Sequence, residues 1–80
     1  MSNKDIKRSL TEIQRELGLR IQTFRKKQAM TQEYVASETG LHRSHVSAIE
    51  RGRENVTLLS LLVIADVLKT SVAHLLNGIA

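Results

Sequence analysis

The chain has 80 residues, enough for one small domain with a single hydrophobic core. It contains no cysteine, which excludes disulfide bonds, thiolate metal sites and cysteine nucleophiles. No apolar run is long enough to cross a membrane, and the polar N-terminus is not a signal peptide, so we expect a cytoplasmic protein. The absence of proline and the high leucine and alanine content predict an all-α fold.

The formal net charge of +4 is distributed unevenly along the chain. Residues 1–53 hold eleven Lys/Arg against six Asp/Glu, whereas residues 54–80 hold one lysine against two acidic residues. A positive charge confined to one part of a chain suits a polyphosphate partner. The alternative is an ordinary lysine-rich, solvated helix face.

The first predicted helix runs from Ser9 to about Lys27. Residues 1–8 are polar, and we expect them to be disordered and residues 9–80 to form the single domain. Ser9 and Glu12 fit a capping box. Gly18 interrupts the helix at some cost in helix propensity, which suggests that another helix crosses closely there. The predicted buried stripe has the three- and four-residue spacing of one helix face: Leu10, Ile13, Leu17, Ile21 and Phe24.

Two short helices joined by a glycine turn are predicted in residues 31–52. Thr31 suits the N-cap of a helix over residues 32–39, and Gly40 ends that helix because glycine readily adopts a positive φ. A second helix over residues 43–51 ends at Gly52. The inward positions are apolar: Val35, Ala36, Leu41, Val46 and Ile49. This pattern is typical of a DNA-binding helix-turn-helix, although helix–glycine–helix pairs also occur in proteins that bind no nucleic acid.

Two more helices complete a predicted five-helix bundle. Thr57 caps a fourth helix over residues 58–69, and Ser71 caps a fifth over residues 72–76. The inner stripe of the fourth helix is predicted to contain Leu58, Leu61, Ile64, Ala65 and Leu68.

The fourth helix also carries apolar residues on a second side. A helix that is hydrophobic nearly all round needs cover on more than one side, and a bundle of this size covers only one. We therefore expect a symmetric homodimer; the alternative is scattered surface side chains, which are normal singly. The predicted dimer interface consists of Leu59, Leu62, Val63, Val67 and Ile79, to which Ala80 could add.

Several stretches follow one family pattern: Thr31-Gln32-Glu33, Val35-Ala36, Gly40-Leu41, Val46-Ser47-Ala48-Ile49-Glu50-Arg51-Gly52, Leu61, Ile64-Ala65, Leu68, Ser71-Val72 and Leu75-Leu76-Asn77-Gly78. On these stretches the sequence resembles the lambda-repressor/Cro type of helix-turn-helix proteins, the XRE family of bacteria and phages. Residues 42–57 are similar to the controller proteins of restriction–modification systems. Those proteins often have Arg-Thr-Tyr where this chain has Arg43-Ser44-His45.

The resemblance implies that the second motif helix lies in the major groove of double-stranded DNA. An arginine at its start can bond guanine O6 and N7 together, which contributes about 1–3 kcal/mol of discrimination. By position, the residues that would contact bases are Arg43, Ser44, His45, Ser47 and Ala48. The resemblance also implies a phosphate contact through Gln32 at a helix N-terminus, and further candidates for backbone contact are Thr31, Ser47, Arg51, Arg53 and Asn55.

Arg25 and Glu50 match a family ion pair, which would be structural rather than functional. Losing either partner would strand a charge, at a cost on the order of 3–5 kcal/mol if the pair is buried. His42 and His45 are three residues apart, but without a thiolate we favour histidines that face solvent or DNA over a metal site.

The sequence therefore predicts a transcription regulator that binds a two-fold operator as a homodimer, with half-sites about 34–36 Å apart. The alternative is an antitoxin or other interaction module that uses the same fold to bind a partner protein through its apolar stripe. An enzyme is disfavoured because no nucleophile–base pair, phosphate loop or paired carboxylates appear, and no cofactor or small-molecule ligand is expected. The operator, the sign of regulation and the genetic system stay open.

Overall fold

Five helices joined by short turns make up the computed structural model, which describes the backbone of residues 3–79 and the side chains of residues 10–79. The helices are α1 Asn3–Lys27, α2 Gln32–Thr39, α3 Arg43–Glu50, α4 Leu58–Val67 and α5 Val72–Leu75. The described backbone contains no β-strand. The prediction of an all-α helix-turn-helix fold is confirmed. Within residues 3–79, no helix combines the length and the apolar composition needed to span a membrane.

The first helix begins earlier than predicted. α1 starts at Asn3, so Ser9 lies inside the helix and the predicted capping box is wrong. Residues 3–8 belong to this helix instead of forming the expected disordered segment, and residues 1 and 2 lie outside the described residues. An N-cap contributes only about 0.5–2 kcal/mol. With no glycine or proline in residues 3–8, nothing in the sequence stops the helix from propagating past Ser9.

The N-caps of α2, α4 and α5 are confirmed. In each helix the hydroxyl oxygen of the cap accepts a hydrogen bond from the backbone N–H three residues later, as N-caps require; the caps are Thr31, Thr57 and Ser71. The end of α4 was predicted two residues too late. Lys69 has φ 58°, and the N–H of Thr70 donates to the carbonyl of Ala65, which closes the helix in a Schellman motif. Lysine rarely takes this left-handed conformation, so its sequence gives no signal for it.

Two glycines allow α1 and α3 to approach at backbone distance. A Cβ added to Gly18 would stand 2.4 Å from the carbonyl oxygen of Ile49 and 2.6 Å from that of Glu50. Gly52 follows α3 with φ 71°, and a Cβ there would stand 2.7 Å from the Cα of Arg15. The close helix crossing expected at Gly18 is therefore present, and its partner is the C-terminal end of α3.

The hydrophobic core lies where all five helices meet: Leu17, Ile21, Val35, Ala36, Val46, Ile49, Leu61, Ile64, Ala65, Leu68 and Leu75. α3 packs on both α1 and α2, and α4 packs on α2 and α5. Phe24 is half-buried against this core, and three residues of the predicted inner stripes lie outside it: Leu10 is 54% exposed, Leu58 is 68% exposed, and Ile13 is half-buried. Each of the three lies near the start of its stripe. Helical periodicity predicts the side of a helix that faces the core but not how far along the helix the core extends.

Candidate nucleic-acid interface

α2, a three-residue turn and α3 form the helix-turn-helix. Gly40 ends α2 with φ 80°, and its N–H donates to the carbonyl of Ala36 at 2.9 Å. The Leu41 N–H then donates to the Oγ1 of Thr39 at 3.3 Å. Val46 and Ile49 anchor α3 in the core. The turn and the buried side of α3 leave one face of this helix open to solvent.

The open face of α3 carries the residues predicted to contact bases. Arg43 and Ser44 are exposed in the first turn, whereas His45, Ser47 and Ala48 are half-buried. His42 occupies the N-cap without a side-chain capping hydrogen bond, and the first turn contains no acidic residue. A cation at this end of a helix is unfavourable by the helix dipole, so an anionic contact would explain Arg43.

An ion pair between Arg25 and Glu50 joins the ends of α1 and α3. The Nε of Arg25 donates to Oε2 of Glu50 at 2.7 Å, and Nη2 donates to Oε1 at 2.9 Å. A third hydrogen bond, at 2.9 Å, runs from Nη1 to the carbonyl of Met30. Arg25 is 8% exposed and Glu50 is 4% exposed. The hydrogen bond and the charge of Glu50 raise the pKa of the Arg25 guanidinium despite its burial. Arg25 therefore stays charged throughout the pH range in which proteins bind DNA.

Two predicted phosphate contacts have intramolecular partners that the sequence did not suggest. The Nε2 of Gln32 donates to Oε1 of Glu50 at 3.1 Å, and the Oδ1 of Asn55 accepts a hydrogen bond from the Nε2 of Gln14 in α1. Both pairings connect residues far apart in the chain, so no local pattern could reveal them. Gln32 and Asn55 are thus held in place by other helices.

The other predicted phosphate contacts lie on the surface around α3. Thr31, Arg51 and Arg53 are exposed. An open cleft of about 430 Å³ separates the start of α2 from the start of α3, and it is lined by Arg25, Met30, Thr31, Gln32, Glu33 and Arg43. Gln32 and the acidic Glu33 of α2 therefore share a solvent-accessible space with the cationic Arg43 of α3.

The predicted dimer interface divides into exposed and partly packed residues. Leu59 is 71% exposed and Leu62 is 49% exposed. Val63 is half-buried. Val67 and Ile79 are half-buried against the core of their own chain. Ala80 lies outside the described residues. Leu58 was predicted from periodicity to lie in the core, but it is exposed and extends the apolar patch of α4.

The histidines lie apart from any candidate metal site. Among the side chains of residues 10–79, no cluster of three or more His, Asp or Glu residues could hold a metal ion. His42 is exposed and His45 is half-buried in the first turn of α3. The ring of His74 meets Phe24 edge-on, with ring centroids 5.4 Å apart at 87°.

Comparison with known proteins finds relatives with the same architecture. A family model described as helix-turn-helix matches residues 21–75. Over 66 residues the chain is 37% identical to control protein C.SmaI of Serratia marcescens, which covers 82% of this chain and 79% of that protein. The crystal structure of the restriction–modification controller protein C.AhdI from Aeromonas hydrophila has a TM-score of 0.75 and 34% identity, over 76% of this chain and 92% of that chain. SinR, a master regulator for biofilm formation in complex with DNA, has a TM-score of 0.71 and 33% identity, over 75% of this chain and 97% of that chain.

Proposed function

This chain belongs to the helix-turn-helix family of DNA-binding transcription regulators, and from that premise we propose that it acts as a homodimer on a two-fold operator. Each protomer would place α3 in the major groove of one half-site, about 34–36 Å from the other. The family is one of regulators and not of enzymes. The proposal puts the protein in the bacterial cytoplasm, where such an operator would lie.

The observation that carries this proposal is the two-sided character of α3. One side is anchored by Val46 and Ile49 in the core and by Glu50 in the ion pair with α1. The other side presents Arg43 and Ser44 to solvent. A helix anchored on one side, with exposed donors at its N-terminal end, has the geometry that major-groove contact requires.

We assign base contacts to the open face of α3. Arg43 would bond guanine O6 and N7, and Ser44 would donate or accept at an adjacent base edge. The Ala48 methyl would touch a thymine methyl. His45 and Ser47, beside them on the same helix, complete the proposed set.

We assign phosphate contacts to the residues that surround α3. The cleft between the starts of α2 and α3 supports this assignment for Thr31 and Gln32, because polar groups of both helices line it. Arg51, Arg53 and Asn55 follow α3 and would contact the backbone beyond it. Such contacts fix the position of the protein on the duplex and carry no sequence information directly.

The proposed dimer interface is the apolar patch of α4. Leu58, Leu59 and Leu62 would form its centre, since their exposure leaves them without cover in one chain. Val63, Val67 and Ile79 would border it. A two-fold axis at this patch would bring identical surfaces together. The same patch could instead bind a different protein, as in an antitoxin, and the size of the purified protein separates the two: a stable dimer supports self-association, whereas a monomer that aggregates supports a missing partner.

Selection of bound sequences from random duplex DNA tests the proposed function. The purified protein should enrich a consensus with two-fold symmetry and a half-site spacing of about one helical turn. If binding is weak, steeply dependent on salt and without enrichment at any salt concentration, only nonspecific phosphate attraction remains and the operator proposal is wrong.

A further inference from the structure

The carboxylate of Glu50 makes more contacts than an ion pair needs. Arg25 donates two hydrogen bonds to it, one to each oxygen. Oε1 then accepts a further hydrogen bond from Gln32, the first residue of α2. Gln32 is half-buried, whereas the Glu50 side chain is 1% exposed. Gln32 therefore connects a buried charge to the surface that we propose contacts DNA.

The chemistry of these groups fixes how the Gln32 amide is turned. An ionised carboxylate only accepts hydrogen bonds, so the amide must present its NH₂ group and not its carbonyl oxygen to Glu50. That nitrogen carries two N–H donors, and Glu50 accepts one of them. The orientation of the second N–H is then set by the same planar nitrogen. Gln32 also lines the open cleft beside Arg43, which has room for a phosphate oxygen.

We propose that Glu50 is a positioning residue for DNA binding: its carboxylate holds the Gln32 amide so that the second N–H meets a phosphate of the DNA backbone. This inference rests on the proposed function. It gives Glu50 a second role beside the structural pair, because one buried carboxylate links the end of α3 to a backbone-binding group on α2. The position of α3 in the groove and the phosphate contact of α2 are thereby coupled.

Hydrogen exchange of side-chain amides tests, in the free protein, whether Glu50 holds the Gln32 amide in place. The Gln32 NH₂ protons, followed by NMR, should exchange about tenfold more slowly than those of a glutamine in an unstructured peptide. Gln28 provides a matched control, since its Nε2 donates to the carbonyl of Leu68 at 2.7 Å. Exchange of Gln32 at the peptide rate, with Gln28 protected, would overturn the positioning role.

A double-mutant cycle in DNA affinity tests whether Glu50 contributes to DNA binding through Gln32. Gln32→Leu and Glu50→Gln should each weaken binding to the selected operator about tenfold, which corresponds to about 1.4 kcal/mol. The double variant should lose clearly less than the hundredfold that two independent effects would give, because part of the effect of Glu50 passes through Gln32. Gln28→Leu removes a glutamine hydrogen bond outside the cleft and should leave the affinity unchanged.

Circular dichroism at the binding temperature shows whether the Glu50→Gln protein is folded. If it is unfolded, hydrogen exchange in the wild-type protein decides whether Glu50 positions Gln32. Independent effects that multiply to about a hundredfold in the double variant would overturn the proposal, since Glu50 would then act on α3 alone. Failure of the wild-type protein to select any operator overturns the proposed function and this inference together. Fast exchange or multiplying effects, with the operator intact, overturn only the role of Glu50.

Discussion

Replacing Gly18 with alanine tests whether the crossing of α1 and α3 is set by backbone contact. The added methyl group would lie 2.4 Å from the carbonyl oxygen of Ile49, so the helices would have to separate by about 0.6 Å to reach 3.0 Å, below which real Cβ atoms essentially never come. Overpacking of this kind costs about 1–3 kcal/mol. Alanine recovers about 0.8–1.0 kcal/mol in helix propensity. The difference is a net loss of about 0–2 kcal/mol in the free energy of unfolding, and we expect the upper half of that range because the atoms in the way are backbone and cannot rotate aside.

Urea denaturation followed by circular dichroism measures this loss. A protein of this size has a total stability of about 4–12 kcal/mol, so the expected change moves the midpoint clearly. Thr23→Ala is the matched control, because Thr23 is exposed on the same helix and its hydroxyl donates only to the carbonyl of Leu19 one turn earlier. The control should be as stable as the wild type or slightly more so. A Gly18→Ala protein as stable as Thr23→Ala would falsify the backbone-contact argument.

Three further predictions concern the ion pair, the DNA contacts and the dimer. Glu50→Ala should lower the free energy of unfolding by about 3–5 kcal/mol, because it strands the buried guanidinium of Arg25. Glu38→Ala, at an exposed position of α2, should leave the stability unchanged. An unchanged urea midpoint for Glu50→Ala would argue against the buried pair. Arg43→Ala should lose preference at one base position per half-site, whereas Arg53→Ala should weaken all sequences alike, and the opposite pattern in a binding competition would reverse the two assignments. Leu59→Asp should convert the dimer to a folded monomer in sedimentation analysis, since it places a charge in the proposed apolar interface; a dimer that persists would exclude this surface.

The features predicted correctly from sequence are those that depend on neighbouring residues. A cap such as Thr57 accepts a hydrogen bond from a backbone N–H three residues later, so the cap and its partner lie in one short window. Gly40 ends α2 by its own conformational freedom. The start of α1 was missed because a local cap signal at Ser9 competes with the propagation of a helix that contains no breaker.

The candidate site was predicted less completely because its geometry depends on how helices cross. Periodicity correctly placed Val46 and Ile49 in the core and so identified the open face of α3. The hydrogen bond from Gln32 to Glu50 spans 18 positions, and that from Gln14 to Asn55 spans 41. Such bonds depend on the angle and distance between α1, α2 and α3, and a hydrophobic pattern specifies neither.

No residue of α1 is proposed to contact a DNA base, yet α1 helps to fix the position of α3. Gly18 meets the last carbonyl groups of α3, the backbone of Arg15 meets Gly52 just beyond α3, and Arg25 holds Glu50. These three contacts restrain the C-terminal end of α3, whereas the base contacts are proposed at its N-terminal end. A change at Gly18 or Arg25 would therefore tilt the whole of α3 and move every base contact at once. It should weaken binding to all operator variants together, whereas loss of a single side chain on the open face should alter preference at one position.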